Sequence, residues 1–68
     1  MNLKDLRNDL GLKQEDFAHT LNCTQKKISH LENNRSKLQI DDLAKLIRAY
    51  NLTTETIKNL ILNELEKE

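Results

Sequence analysis

The 68-residue sequence has one glycine, no proline, no valine, no tryptophan, one cysteine and only two aromatic residues, Phe17 and Tyr50. Almost no glycine or proline excludes turn-rich β folds, collagen-like repeats and proline-rich linkers. One cysteine cannot close an internal disulfide and points to a reducing compartment. The longest apolar run is Leu60-Ile61-Leu62, far short of the roughly 20 residues of a membrane-spanning helix. The N-terminal Met1-Asn2-Leu3-Lys4-Asp5 lacks the apolar stretch of a signal peptide. Eleven basic and eleven acidic side chains cancel, which argues against nucleic-acid binding by bulk charge alone. These absences describe a soluble cytoplasmic chain, or one shared with the nucleoid, with no contact with membranes.

What is present favours helix. Thirteen of the 25 apolar residues are leucine and five are isoleucine, and leucine prefers helix over strand. Apolar residues recur at i, i+3, i+4 spacing in five blocks. Leu3, Leu6 and Leu10 mark a helix at about 2–10, and Phe17, Ala18 and Leu21 one at about 14–21. Ile28 and Leu31 mark 25–33; Leu43, Ala44, Leu46 and Ile47 mark 40–49; Ile57, Leu60, Ile61 and Leu65 mark 54–66. Each is too short to be stable alone. Residues 1–68 therefore read as one all-α, five-helix domain. A core this small rarely supplies more than about 3–5 kcal/mol, so local signals must carry much of the specification.

The stops between blocks are Gly11, Asn22, Asn34 and Asn51. Helices often end on a left-handed residue, where glycine fits best and asparagine is its usual substitute. Thr24 and Thr53 (or Thr54) follow as N-cap candidates. The resulting Asn-X-Ser/Thr triplets at Asn22, Asn34 and Asn51 read as stop-then-cap punctuation, not glycosylation sites.

Residues 14–33, QEDFAHTLNCTQKKISHLEN, meet the requirements of a helix-turn-helix. Ala18 is the small residue mid-way along the first helix, where the second crosses closely. Phe17, Leu21, Cys23, Ile28 and Leu31 fall on core-facing positions. Asn22-Cys23-Thr24 is a turn of about the right length, with a residue that tolerates the left-handed conformation. The chain resembles the phage repressor and Cro (XRE-type) helix-turn-helix family. The matching residues run from Leu6-Arg7 through Leu10-Gly11-Leu12, Gln14-Glu15, Phe17-Ala18, Leu21, Ile28-Ser29, Leu31-Glu32-Asn33, Leu43, Leu46, Ala49 and Leu52 to about Leu60. The resemblance implies a lambda-repressor-like domain whose third helix enters the major groove, usually as a dimer on a pseudo-palindromic operator. It also implies that Gln14 binds a phosphate and braces Gln25, and that Glu32 is structural, pairing with Arg7 or Arg35. Lys13, Gln39 and Asn34 depart from the family's usual cap and glycine positions. Each missing cap costs roughly 0.5–2 kcal/mol at most and leaves the groove-facing surface untouched.

With Ile28 and Leu31 inward, Gln25, Lys26, Ser29 and His30 point outward near the end of the third helix that meets base edges. Glutamine pairs with adenine and lysine with guanine. Lys27, Arg35 and Lys37 are candidate phosphate contacts, with Asn33 and Ser36 adding neutral ones. Thr24 reads as a cap. His19, Cys23 and His30 lack the four ligands and paired spacing of a structural zinc site. Cys23, expected to be buried, has no oriented base to make it a nucleophile. We therefore expect no metal, no cofactor and no enzymatic activity.

By segment, residues 1–12 are neutral, 13–37 carry net +2 and 38–68 net −2. The DNA-facing segment is thus mildly basic and the C-terminal part mildly acidic. Ile57, Ile61, Leu62 and Leu65 cover more than one face of the fifth helix, so part of it, Leu62 and Leu65 foremost, should stay exposed as a protein interface. A homodimer would be the commonest use of that surface. The leading expectation is a Cro-like, sequence-specific repressor bound to an operator duplex, favoured over a full-length repressor because no second domain is evident. The alternative is a helix-turn-helix modulator that binds a partner repressor, and an antitoxin role is a weaker third.

Overall fold

The computed structural model describes residues 2–67. Five helices follow in order: α1 (Leu3–Asp9), α2 (Gln14–Leu21), α3 (Gln25–Glu32), α4 (Ile40–Tyr50) and α5 (Thr54–Glu66). Each lies within about one residue of its apolar block. Helix α4 runs one residue further, through Tyr50, whose ring packs 5.5 Å from that of Phe17 and whose hydroxyl lies 2.7 Å from Thr20 Oγ1.

The helix starts follow the cap chemistry. Asn2 and Asp5 form a reciprocal capping box on α1. Thr24 accepts from the Lys27 N–H at 3.1 Å and Thr53 from the Thr56 N–H at 3.2 Å. Lys13 and Gln39 give no side-chain cap. At α2 the loss is partly offset by Asp16, whose carboxylate accepts from the Lys13 N–H at 2.8 Å.

The stops follow the asparagines. Gly11, Asn22, Asn34 and Asn51 all have positive φ, between 50° and 70°. Behind the first three, paired bonds close a Schellman turn. Leu12 N–H donates to Arg7 O, Cys23 N–H to Ala18 O and Arg35 N–H to His30 O, at 2.8–3.0 Å. The residue after each left-handed position faces the core at Leu12, Cys23 and Leu52. The fourth such residue is Arg35, which is exposed.

The core gathers Leu3, Leu6, Phe17, Ala18, Leu21, Ile28, Leu31, Leu46 and Leu60, with Phe17, Ile28 and Leu46 fully enclosed. Two expectations are corrected. Leu10 falls outside α1, where the chain turns toward Gly11, and is exposed. Cys23 is only half-buried, because it sits in the turn at the rim of the core. Burial and the Asp42 carboxylate push its thiol pKa up, against the opposing pull of Lys27 and Lys45.

Asn22 holds the turn between the two helices that matter most, so Asn22→Ala should be costly. The left-handed conformation costs an ordinary L residue about 1 kcal/mol or more. The expected outcome is a loss of that size in urea-induced unfolding, with an unchanged denaturant slope.

Candidate nucleic-acid interface

Helices α2 and α3 lie in close contact, and Ala18, Leu21 and Ile28 belong to the core they share. Ala18 is 7% exposed, so a larger side chain there would have to displace its neighbours. The start of α3 lies beside the N-terminal end of α2, where Gln25 reaches Gln14.

Seven sequence-predicted residues come together there. Gln14, Gln25, Lys26, Ser29, His30, Asn33 and Arg35 line one open, mainly polar groove of about 420 Å³. They come from the start of α2, the outer face of α3 and the turn after it. The two fixed charges in the lining, Lys26 and Arg35, are positive. Three predicted residues lie outside the groove. Lys27 is half-buried, Ser36 is half-buried in the α3–α4 loop, and Lys37 is exposed in the same loop.

The groove is braced from behind by a chain of side-chain hydrogen bonds. Arg7 on α1 donates from Nε to Glu32 Oε2 at 2.6 Å and from Nη2 to Glu32 Oε1 at 3.2 Å. Its Nη1 donates to the Leu12 carbonyl at 3.0 Å. Gln14 Nε2 donates to Glu32 Oε1 at 3.0 Å, and Gln25 Nε2 donates to Gln14 Oε1 at 3.3 Å. The last member of the chain is thus a groove residue held by one whose own partner is a buried carboxylate. At its other end, Asn33 Nδ2 donates to the Ser29 carbonyl at 2.9 Å.

Glu32 is the one buried polar residue among the described residues. Burial raises its carboxyl pKa, but hydrogen bonds from Arg7 and Gln14, with the Arg7 charge, outweigh burial and hold it below the ordinary value of 4.5. The Arg7 guanidinium is raised, chiefly by its hydrogen bond to Glu32. Of the two partners expected for Glu32, the structure selects Arg7. The bond from Gln14 to Glu32 and the bond from Arg7 to the Leu12 carbonyl have no counterpart among the sequence expectations. The first joins residues 18 positions apart through tertiary packing and the second crosses the turn after α1, and no spacing signal announces either.

On α5, Ile61, Leu62 and Leu65 are exposed at 44%, 46% and 75%. Thr54, Ile57, Lys58, Ile61 and Leu62 line a second, apolar groove of about 300 Å³. Of the four residues expected at a protein interface, Ile57 is half-buried and Leu65 lies outside this groove. Among the described residues no three His, Cys, Asp or Glu side chains cluster as metal ligands. No helix there is long and apolar enough to cross a membrane.

A helix-turn-helix family model matches residues 3–57, which is most of the chain and includes both helices of the groove. The protein belongs to the XRE-type, Cro-like helix-turn-helix family, whose members are DNA-binding regulators. No curated protein and no solved structure matched.

The Arg7–Glu32 pair makes a stability prediction. Arg7→Met leaves the Glu32 carboxylate buried without its countercharge and should cost about 3 kcal/mol, the lower end for breaking a buried pair. Arg7→Met with Glu32→Met should recover most of that loss, as read by urea unfolding. The pair also sets a pH dependence. Because the folded carboxyl titrates below its ordinary value of 4.5, its stabilisation is fully present above that pH. It is lost as pH falls through the lower folded value. Stability of the unsubstituted protein should therefore fall more steeply below pH 4.5 than that of the double variant.

Proposed function

We propose that this chain is a sequence-specific DNA-binding transcription regulator, a Cro-like repressor of a phage or mobile-element switch, with α3 in the major groove. The observation that carries this reading is the braced polar groove, with amide and cationic side chains on the exposed face of α3 and no acidic side chain in its lining. Gln25 offers a donor–acceptor pair that fits the major-groove edge of adenine, and Lys26 a donor for guanine. Ser29 and His30 extend the readout along the helix. Gln14, at the N-terminus of α2, binds a phosphate together with free backbone N–H groups. Lys27, Asn33, Arg35, Ser36 and Lys37 contact the backbone on either side.

The bond between Gln25 and Gln14 supports this assignment because it sets the orientation of a base-reading amide before DNA arrives. Ordering a long polar side chain at the interface costs about 0.5–1.5 kcal/mol on association, and a brace already in place reduces that cost. The exposed leucines of α5 support a two-fold symmetric homodimer. Such a dimer would present two α3 helices to half-sites about 34 Å apart.

The apolar groove of α5 favours a second reading: a helix-turn-helix modulator that acts by binding a partner repressor. Net charge zero fits that reading as well, since non-specific attraction to DNA is weak.

Selection from a randomised duplex library separates the two. The expected result is a palindromic motif that disappears when Gln25→Ala and Lys26→Ala are combined, each base contact being worth about 1–3 kcal/mol of discrimination. Log K should fall gently with log salt, since few phosphates are neutralised. No enrichment even at low salt, with stable co-purification of a repressor in the absence of DNA, would overturn the operator reading in favour of the modulator.

A further inference from the structure

The α3–α4 loop, which carries Arg35 and Lys37, lacks the apolar anchor found behind the other three left-handed turns. Leu12, Cys23 and Leu52 pack on the core, whereas Arg35 is exposed. The loop is held instead from α5. Lys67, just past the end of that helix, has a side chain only 4% exposed. Its Nζ donates to the Leu31 carbonyl at 3.3 Å, to the Ser36 carbonyl at 3.1 Å and to Glu64 Oε1 at 2.8 Å. With Glu64 Oε2 these place four oxygens around the ammonium. Glu64 Oε1 also accepts from the Leu38 N–H at 2.7 Å. Glu64 Oε2, buried, has the Lys67 ammonium 2.6 Å away as its sole counter-group among the described residues. One ion pair thus grips the last turn of α3, the middle of the loop and its exit. Among the described residues no other hydrogen bond fixes the backbone of residues 36–38.

We propose that Glu64 and Lys67 are positioning residues for DNA binding: from the end of α5 they hold residues 35–38 in the register that presents Arg35 and Lys37 to the phosphate backbone. This rests on the DNA-binding reading above. Neither residue lines the groove, and one of them is an acid. Their effect is therefore opposite to what charge alone dictates for Glu64. Removing that carboxylate raises the net charge by one and, by bulk electrostatics, should tighten binding. If the carboxylate holds the loop, removing it weakens binding.

The test compares Glu64→Ala and Lys67→Met with the unsubstituted protein, using the selected operator and a random duplex. Both variants are expected to bind operator and random duplex about tenfold more weakly, by the same factor for each, the worth of one charge-assisted hydrogen bond. The slope of log K against log salt should become shallower by about one for each phosphate that is no longer neutralised. Amide exchange at Leu38 should accelerate about tenfold in both variants, without DNA, as its acceptor is removed or released. A fold-level defect alone would not change the salt slope of the folded fraction. Should Lys67→Met fail to fold, Glu64→Ala decides the matter. Unchanged or tighter binding by Glu64→Ala, with an unchanged salt slope, would overturn the proposal while leaving the DNA-binding reading intact. Absence of binding by the unsubstituted protein would instead fail the DNA-binding reading, and the proposal with it.

Discussion

The carboxylate of Glu32 cannot be left alone. It is buried at the end of α3, and an unpaired charge there would cost several kcal/mol. Arg7 answers it with two hydrogen bonds, and in doing so ties α1 to α3 across 25 residues of sequence. The guanidinium has a donor left over, which it gives to the Leu12 carbonyl, fixing the approach to α2. The carboxylate has acceptor capacity left over, which it gives to Gln14, fixing the first residue of α2. Gln14 in turn leaves its carbonyl oxygen for Gln25. A single desolvated charge pair thus determines how three helices meet, and its unused valences reach the groove.

The two ends of the molecule are built by different means. The groove side is polar and is specified by directional bonds, each with a definite donor and acceptor. The α5 side is packed through Leu60, leaves its outer apolar side chains uncommitted, and is tied by directional bonds only at its C-terminal end, through Glu64 and Lys67. This division also resolves the charge balance. Total charge is zero, but the carboxylate of Glu32, which is bonded to the groove residue Gln14, is matched by Arg7 and buried. Lys26 and Arg35 are therefore the fixed charges that face outward from the groove. A protein can thus be neutral as a whole and still present a cationic surface where its amide side chains are arrayed.

Most of the fold was legible in the sequence, because its signals are local. Apolar spacing located five helices, Thr24 and Thr53 their caps, and Asn22, Asn34 and Asn51 the left-handed stops. Four groove residues were legible for the same reason: the turn geometry and the inward positions of Ile28 and Leu31 leave little choice for Gln25, Lys26, Ser29 and His30, whereas Gln14 was placed by the family resemblance. What escaped depends on tertiary contact. Leu10 carries the period of α1 but lies where the chain already turns away. Cys23 has a core-compatible side chain at a position only half enclosed. The pairing of Lys67 with the backbone of Ser36 and Leu31 spans more than thirty residues and has no periodic signature, since a lysine near a helix end reads as an ordinary solvated cation. The choice between Arg7 and Arg35 as partner of Glu32 required knowing which guanidinium the packing brings inward.

The asparagine turns have a consequence on the side of the equilibrium that the native structure does not display. A glycine at each stop would adopt positive φ without strain, but would also widen the range of conformations open to the unstructured chain. Asparagine pays a small steric cost in the native turn and restricts the disordered ensemble, an effect worth about 0.4–1 kcal/mol per site in glycine replacements that fit. The three asparagines limit the conformational entropy given up on ordering, whereas the absence of proline leaves the unfolded chain freer. The chain also escapes the slow prolyl isomerisation that delays many small proteins. For 68 residues with nine buried apolar side chains among those described, part of the marginal stability resides in what the unfolded chain is prevented from doing.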